Sequence, residues 1–138
     1  MTRINIVNPS ELTDQHLVAE YREIFMVGSA LQRSLKSKSW DINSLPSTYR
    51  LNKGHVKFFY NKGLYLHKRY KALRKEMIAR GMNPDPSRVF KRHQWPDALY
   101  NDWQPTIEDL AIIRKRIEEK ISLKPNWYRK RTGLNDIY

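Results

Sequence analysis

The chain has 138 residues and carries 26 Lys or Arg against 14 Asp or Glu, a formal charge of +12. The lack of cysteine excludes disulfides, thiol nucleophiles and metal sites built on thiolates, and no apolar run approaches the ~18 residues that a membrane span needs. We expect a soluble, cytoplasmic protein that forms one domain over residues 1–138 and binds a polyanion, most simply a nucleic acid.

The basic residues are concentrated in the middle of the chain. Residues 55–93 hold 11 Lys or Arg against 2 Asp or Glu, and residues 124–138 hold 4 against 1. A solvated helix face that aids solubility is one reading of this excess. A net charge of +9 over residues 55–93 exceeds what solubility needs, so we favour contacts with phosphates.

The first predicted helix runs from about residue 14 to residue 36. Apolar or small residues recur there at spacings of four and three, which is the period of one buried helix face. Either Thr13 or Asp14 can cap its N-terminus. The buried face consists of Leu17, Tyr21, Ile24, Gly28, Leu31 and Leu35.

Two further helices are predicted over residues 55–80 and 107–123. Gly81 is placed to end the earlier one, although residues 61–63 could interrupt it, so that it begins later. Thr106 and Asp109 approximate a capping box at the start of the later one. The apolar seams are Val56, Phe59, Gly63, Leu66, Tyr70, Leu73 and Met77 in the earlier helix, and Leu110, Ile113, Ile117 and Ile121 in the later one.

The remaining residues read as two loops and a tail. Residues 37–54 and 82–105 connect the helices, and the second loop contains Trp95, Tyr100 and Trp103, which can pack it onto them. No stretch reads as a strand. The predicted fold is therefore all-α: a single compact domain of three main helices with long loops and a structured basic-aromatic C-terminal tail.

Common cofactor and metal motifs are absent. The sequence has no Gly-rich phosphate loop, no HExxH and no spaced set of His and Cys, so we expect neither a cofactor nor a metal. Glu20 and Glu23 lie on one helix face, and this geometry argues against a paired-carboxylate glycosidase that flanks a sugar from two sides. Composition and spacing alone indicate a basic helical protein that binds nucleic acid.

One face of the first helix carries an unusual set of polar residues. His16, Glu20 and Glu23 follow the i, i+4, i+7 spacing of a single face. Arg22 lies beside that face, and Gln15 lies one heptad before Arg22. Periodicity by itself is also compatible with a surface stripe of salt bridges.

Several short stretches closely resemble the pyrimidine-dimer DNA glycosylases of the bacteriophage endonuclease V type. They lie near the N-terminus, in the middle and towards the C-terminus, in the order of the family. The stretches are MTRIN (1–5), ELTDQH (11–16), AEYRE (19–23), GHVKFFY (54–60), RIEEK (116–120) and KPNWY (124–128).

The resemblance implies a DNA repair enzyme with two activities and no cofactor. It would cleave the glycosidic bond of the 5′ pyrimidine in an ultraviolet-induced cyclobutane dimer and then nick the strand as an abasic-site lyase. The implied nucleophile is the α-amino group of Thr2 after removal of Met1, and the implied catalytic carboxylate is Glu23. An α-amino group suits this role because its pKa is ~8, well below the ~10.4 of lysine.

Nine further residues are expected to contact DNA, both at dimers and non-specifically on undamaged duplex. Cations would grip phosphates, and aromatic side chains would stack at the lesion. The expected contacts are Arg3, Gln15, His16, Arg22, Arg116, Lys120, Trp127, Tyr128 and Arg129.

The sequence departs from the bacteriophage pattern at two places. Phe25 and Met26 stand where the bacteriophage member has Pro-Arg, so an arginine contact at that position cannot be carried over. Residues 129–131 (Arg-Lys-Arg) replace further tyrosines, which favours phosphate contacts over stacking in the tail. Both changes concern lesion preference more than the reaction itself.

Two other functions remain open at this point. A basic helical protein that coats or bends DNA without catalysis would share the charge but need neither Thr2 nor Glu23. An abasic-site lyase with a different damaged base as its main substrate would use the same amine. We expect the enzyme to be a monomer.

Overall fold

The computed structural model describes residues 2–130, and all regular structure within that range is helical. The prediction of an all-α fold is confirmed. Short 3₁₀ turns at residues 9–11, 42–44, 92–94 and 97–99 punctuate the loops. The α-helices are α1 (Asp14–Leu35), α2 (His55–Phe58), α3 (Gly63–Ala79) and α4 (Ile107–Leu123).

The helix predicted over residues 55–80 is divided in two, as the possible interruption at residues 61–63 allowed. The chain leaves the helix after Phe58 and re-enters it at Gly63, at the interruption that residues 61–63 indicated. The break has a packing reason: Phe58, Phe59 and Tyr60 are all buried, and three consecutive side chains of one continuous helix cannot all point to the same side. Lys62 Nζ donates to the Phe58 carbonyl (2.9 Å), which supplies a partner at the end of α2.

The predicted helix ends are confirmed. The Thr13 side chain accepts a hydrogen bond from the His16 N–H at the start of α1, and Thr106 and Asp109 form a reciprocal capping box on α4. Gly81 ends α3 with φ +82°. It donates to the Ile78 carbonyl, and the next N–H donates to the Met77 carbonyl, which is the Schellman pattern.

The core lies between α1 and α3, and the loop of residues 82–105 closes it. Trp95 is buried where α1 and α3 present the glycines Gly28 and Gly63. A Cβ on Gly63 would lie 2.7 Å from the Trp95 indole, so the close approach depends on the missing side chain. In contrast, α4 buries only Ile113 completely. Within residues 2–130 no helix is both long enough and apolar enough to cross a membrane.

Replacing Gly63 by alanine tests this close approach. We expect Gly63→Ala to lower the free energy of unfolding by about 1–3 kcal/mol, because overpacking against a rigid indole outweighs the better helix propensity of alanine. Urea unfolding measures the change, with Lys75→Ala at an exposed position of α3 as the control. An unchanged midpoint for Gly63→Ala would show that Trp95 can move away at no cost.

Candidate active site

The segment of residues 2–7, here called the N-terminal segment, runs through the core without a strand beside it. Ile4, Ile6 and Val7 are all buried. Ile6 has φ +48°, and the Val7 N–H donates to the Asn5 carbonyl (2.5 Å), so the chain turns at Ile6. This turn lets two consecutive side chains face the core, which an extended strand does not allow.

Side chains from distant parts of the chain supply the hydrogen bonds that a neighbouring strand would otherwise provide. Each partner comes from a helix or from the loop before α2. The segment donates three hydrogen bonds: Arg3 N–H to Glu23 Oε1 (3.0 Å), Ile4 N–H to His55 Nε2 (2.8 Å) and Asn5 N–H to Glu20 Oε1 (3.1 Å). It accepts two: Tyr49 Oη donates to the Ile4 carbonyl (3.1 Å), and Arg69 Nη1 donates to the Val7 carbonyl.

Glu20 forms a buried ion pair with Arg69 of α3. Arg69 Nε lies 2.6 Å from Glu20 Oε2, and Arg69 Nη2 lies 3.0 Å from Glu20 Oε1. Glu20 is only 1 % exposed, so this two-point pairing is what makes a carboxylate tolerable at that depth. Because Glu20 also accepts the Asn5 N–H, the ion pair supports the N-terminal segment.

His55 holds the N-terminal segment as a neutral imidazole. Its Nδ1 donates to the Arg50 carbonyl (2.8 Å), which leaves Nε2 to accept the Ile4 N–H. Burial lowers the pKa of His55 below its usual value, because the charged form loses its hydration. Protonation of Nε2 would remove the acceptor for Ile4.

Glu23 lies one helical turn after Glu20 and is half-buried. Burial raises the pKa of the Glu23 carboxyl, and the hydrogen bond from the Arg3 N–H opposes that effect. The nitrogen of Thr2 is close by, because only the Cα and carbonyl carbon of Thr2 separate it from the Arg3 nitrogen. The Thr2 hydroxyl in turn donates to Met26 Sδ (3.3 Å), and Met26 is exposed.

Two cavities flank residues 2–5 of the N-terminal segment. The larger, of about 1070 Å³, is lined by Thr2 and Met26 and is strongly basic, and we call it the basic cleft. The smaller, of about 420 Å³, contains Glu20 and Glu23 and is called the Glu23 pocket. The cations of the basic cleft are Arg22, Arg33, Arg50, Lys53, Lys57 and Arg88.

The structure brings most of the predicted site residues together around these cavities. Arg22 joins Thr2 in the basic cleft. The Glu23 pocket is lined by Arg3, His16, Arg116, Lys120 and Tyr128. Arg116 and Lys120 therefore share one face of α4, as their spacing of four predicts.

The remaining predicted contacts lie where the tail docks on α1. The Gln15 amide donates to the Trp127 carbonyl (2.6 Å) and accepts the Arg129 N–H (2.9 Å). Tyr128 stacks on His16 with ring centroids 4.7 Å apart. The nitrogen and the oxygen of the Gln15 amide therefore both bind the main chain of the tail. The Trp127 and Arg129 side chains are exposed. Met1 and Arg131 lie outside the described residues.

Sequence reasoning missed the three side chains that hold the N-terminal segment from a distance: Tyr49, His55 and Arg69. GHVKFFY was noticed as a stretch of the family, but nothing in it indicates that His55 accepts a main-chain N–H. Among residues 2–130, no group of three His, Asp or Glu side chains is arranged to hold a metal ion.

Comparison with protein families identifies the family of the chain. Residues 1–89 match the model of a family described as pyrimidine dimer DNA glycosylase. The matched range contains Thr2, Glu23 and the side chains that hold the N-terminal segment, whereas α4 and the tail lie beyond it. The resemblance found from the short stretches is confirmed.

The role of His55 predicts how stability depends on pH. Unfolded histidine has a pKa of ~6.5, and the folded value is lower, so the unfolded state binds more protons below that pH. The free energy of unfolding should therefore fall as the pH is lowered from about 7 to about 5. His55→Gln keeps an acceptor but does not titrate, and urea unfolding at several pH values should show a shallower fall.

Burial also lowers the pKa values of His16 and His67, so part of the pH dependence should persist in His55→Gln. A pH profile identical to that of the unmodified protein would contradict the assignment of a neutral His55.

Proposed function

Because the chain belongs to the pyrimidine dimer DNA glycosylase family, we propose that it excises the 5′ pyrimidine of a cyclobutane dimer and then cleaves the strand as an abasic-site lyase. The observation that carries this proposal is the hydrogen bond from Arg3 N–H to Glu23 Oε1. It holds the nitrogen of residue 2 beside a half-buried carboxylate, with a cavity on either side.

The nucleophile in this proposal is the α-amino group of Thr2 once Met1 has been removed. At neutral pH roughly one α-amino group in ten is unprotonated. Its lone pair attacks C1′ of the deoxyribose, and the bonding pair of the glycosidic bond leaves with the base. The proton released by the amine goes to the departing base. The C1′–O4′ bond then breaks, O4′ takes a proton from water, and an iminium forms between the amine and C1′.

Glu23 acts on the cation that results. Its carboxylate stabilises the positive iminium nitrogen and accepts a proton from C2′. The electrons of that C–H bond form a C2′–C3′ double bond while the C3′–O bond breaks, so the 3′ phosphate leaves. Water then hydrolyses the imine and returns the free amine. Burial raises the pKa of Glu23, which makes its carboxylate a better proton acceptor than an exposed one.

Lys62 is the rival amine in the chain. Burial lowers its pKa to about 8. However, its Nζ is occupied by the Phe58 carbonyl and Asn61 Oδ1, each at 2.9 Å, and it lines neither the basic cleft nor the Glu23 pocket. The N-terminal amine is therefore the better candidate, and the two can be separated by experiment.

The cations distribute DNA contacts over both cavities. Arg22 and the other cations of the basic cleft would hold phosphates on one side of the N-terminal segment. Arg3, Arg116 and Lys120 would do so on the other. Exposed Trp127 and Arg129 extend this surface along the tail. Since a dimer weakens its local duplex, a bent complex costs less there than on intact DNA, which gives selectivity without reading a base sequence.

Borohydride trapping tests the nucleophile. We expect the protein lacking Met1 to form a reduced covalent adduct at Thr2 with an irradiated duplex and with an abasic duplex, but not with intact duplex. Glu23→Gln should lower the rate of strand cleavage by about 10²–10⁴-fold, the usual contribution of a general acid or base. Mass spectrometry of the digested adduct locates the modified residue.

Two controls distinguish the α-amino group of Thr2 from the side chain of Lys62 as the nucleophile. Acetylation of the N-terminus should abolish the adduct, whereas Lys62→Ala should retain it. An adduct on Lys62 would overturn the assignment of Thr2. Trapping on abasic duplex alone would indicate a different damaged base as the main substrate, and no trapping on either damaged duplex would leave a DNA-binding protein.

The charge distribution makes a separate prediction about salt. If the same cations hold damaged and undamaged duplex, the logarithm of the binding constant should fall with the logarithm of the salt concentration at equal slopes for both. Lys57→Gln, in the basic cleft, should reduce each slope by about one. A dimer-site affinity that does not respond to salt would contradict this prediction.

A further inference from the structure

The side chain of Asn5 has no hydrogen-bond partner in the described part of the chain. The residue is only 3 % exposed, and its Oδ1 is buried without a donor. Its main-chain groups are both engaged, the N–H by Glu20 Oε1 and the carbonyl by the Val7 N–H. Asn5 lines the Glu23 pocket together with Arg3, whereas Ile4 between them is buried in the core.

An unpartnered amide at this depth needs an explanation. Buried polar side chains almost always have hydrogen-bond partners, because a buried group without one loses its hydrogen bonds to water and forms none in the protein. Leucine has nearly the same shape as asparagine and would pack without that penalty. An amide retained beside a cavity therefore indicates that a ligand entering the cavity supplies the missing hydrogen bond.

A second polar atom without a hydrogen-bond partner within the described range belongs to Arg116, which also lines this pocket. Arg116 Nε is buried, and among residues 2–130 it has no acceptor. The pocket thus offers an acceptor from Asn5 and a donor from Arg116. The complementary ligand is a group that carries an N–H next to a carbonyl oxygen.

The imide edge of a thymine base, with its ring N–H between two carbonyl groups, has this pattern. Formation of a cyclobutane ring saturates the C5–C6 bond and leaves the ring N–H and its two carbonyl groups intact. Asn5 lies three residues after Thr2, at most about 10 Å along the chain, so both residues can contact one nucleotide. The cavity of about 420 Å³ is within the ~300–1,000 Å³ of small-molecule pockets.

We propose, building on the proposed function, that Asn5 is a substrate-contacting residue that binds the imide edge of the damaged pyrimidine. The ring N–H donates to Asn5 Oδ1, and an adjacent carbonyl oxygen accepts from Arg116 Nε. The contact orients the base whose glycosidic bond is broken, while Thr2 and Glu23 act on the sugar.

The test compares two substrates with one variant. An abasic duplex has no base for Asn5 to contact, so it reports the lyase step alone. For Asn5→Leu we expect the ratio of kcat/KM on a dimer duplex to kcat/KM on an abasic duplex to fall by about 10- to 100-fold, as for loss of one or two hydrogen bonds. The same variant should unfold at a higher temperature, because the unmet amide is gone.

Two further variants keep the test decisive. Asn43→Leu makes the same exchange at an exposed turn and should leave the ratio unchanged. Asn5→Ala repeats the comparison with a smaller side chain if leucine does not fit.

Each outcome bears on a distinct claim. A lower ratio with higher thermal stability supports the contact with the base. An unchanged ratio, or equal losses on both duplexes, would overturn that contact while leaving the proposed reaction in place. An unmodified protein that cleaves neither duplex would overturn the proposed function itself.

Discussion

The polar groups of the N-terminal segment must find partners in a core where no neighbouring strand provides them. Buried main-chain N–H and C=O groups are costly when unmet, and here side chains of α1, α2, α3 and a loop meet them. The pair of Glu20 and Arg69 is central because it serves the segment at two points: Glu20 accepts the Asn5 N–H and Arg69 donates to the Val7 carbonyl. The position of Thr2 is therefore set by side chains from α1, α2, α3 and the loop before α2.

This arrangement also separates two carboxylates that the sequence places on one face. Glu20 is neutralised by Arg69 and committed to structure, whereas Glu23 is half-buried, has a raised pKa and lies beside residue 2. Two features separate them: α3 pairs Arg69 with Glu20, and Glu20 is more deeply buried than Glu23. One helix turn therefore divides a supporting residue from the candidate catalytic residue.

Local signals in the sequence were sufficient for much of the fold. The periodicity of α1, the capping box of α4 and Gly81 at the end of α3 all depend on neighbouring residues, and each was predicted. The break after Phe58 was missed as a definite boundary because it depends on where three aromatic side chains are buried. His55 and Arg69 could not be predicted as partners of the segment, since they lie 51 and 62 residues from the main-chain groups they bind.

The docking of the tail has a consequence for the order of assembly. Gln15 and Trp127 are 112 residues apart in the sequence. Tyr128, the next residue after Trp127, lines the Glu23 pocket. At a synthesis rate of about 5–20 residues per second, α1 waits about 6–22 s for this partner to be made. The basic helix α3 emerges earlier. A nascent chain therefore presents the cations of α3 before its pocket is closed, and the complete site forms only after Tyr128 has been made.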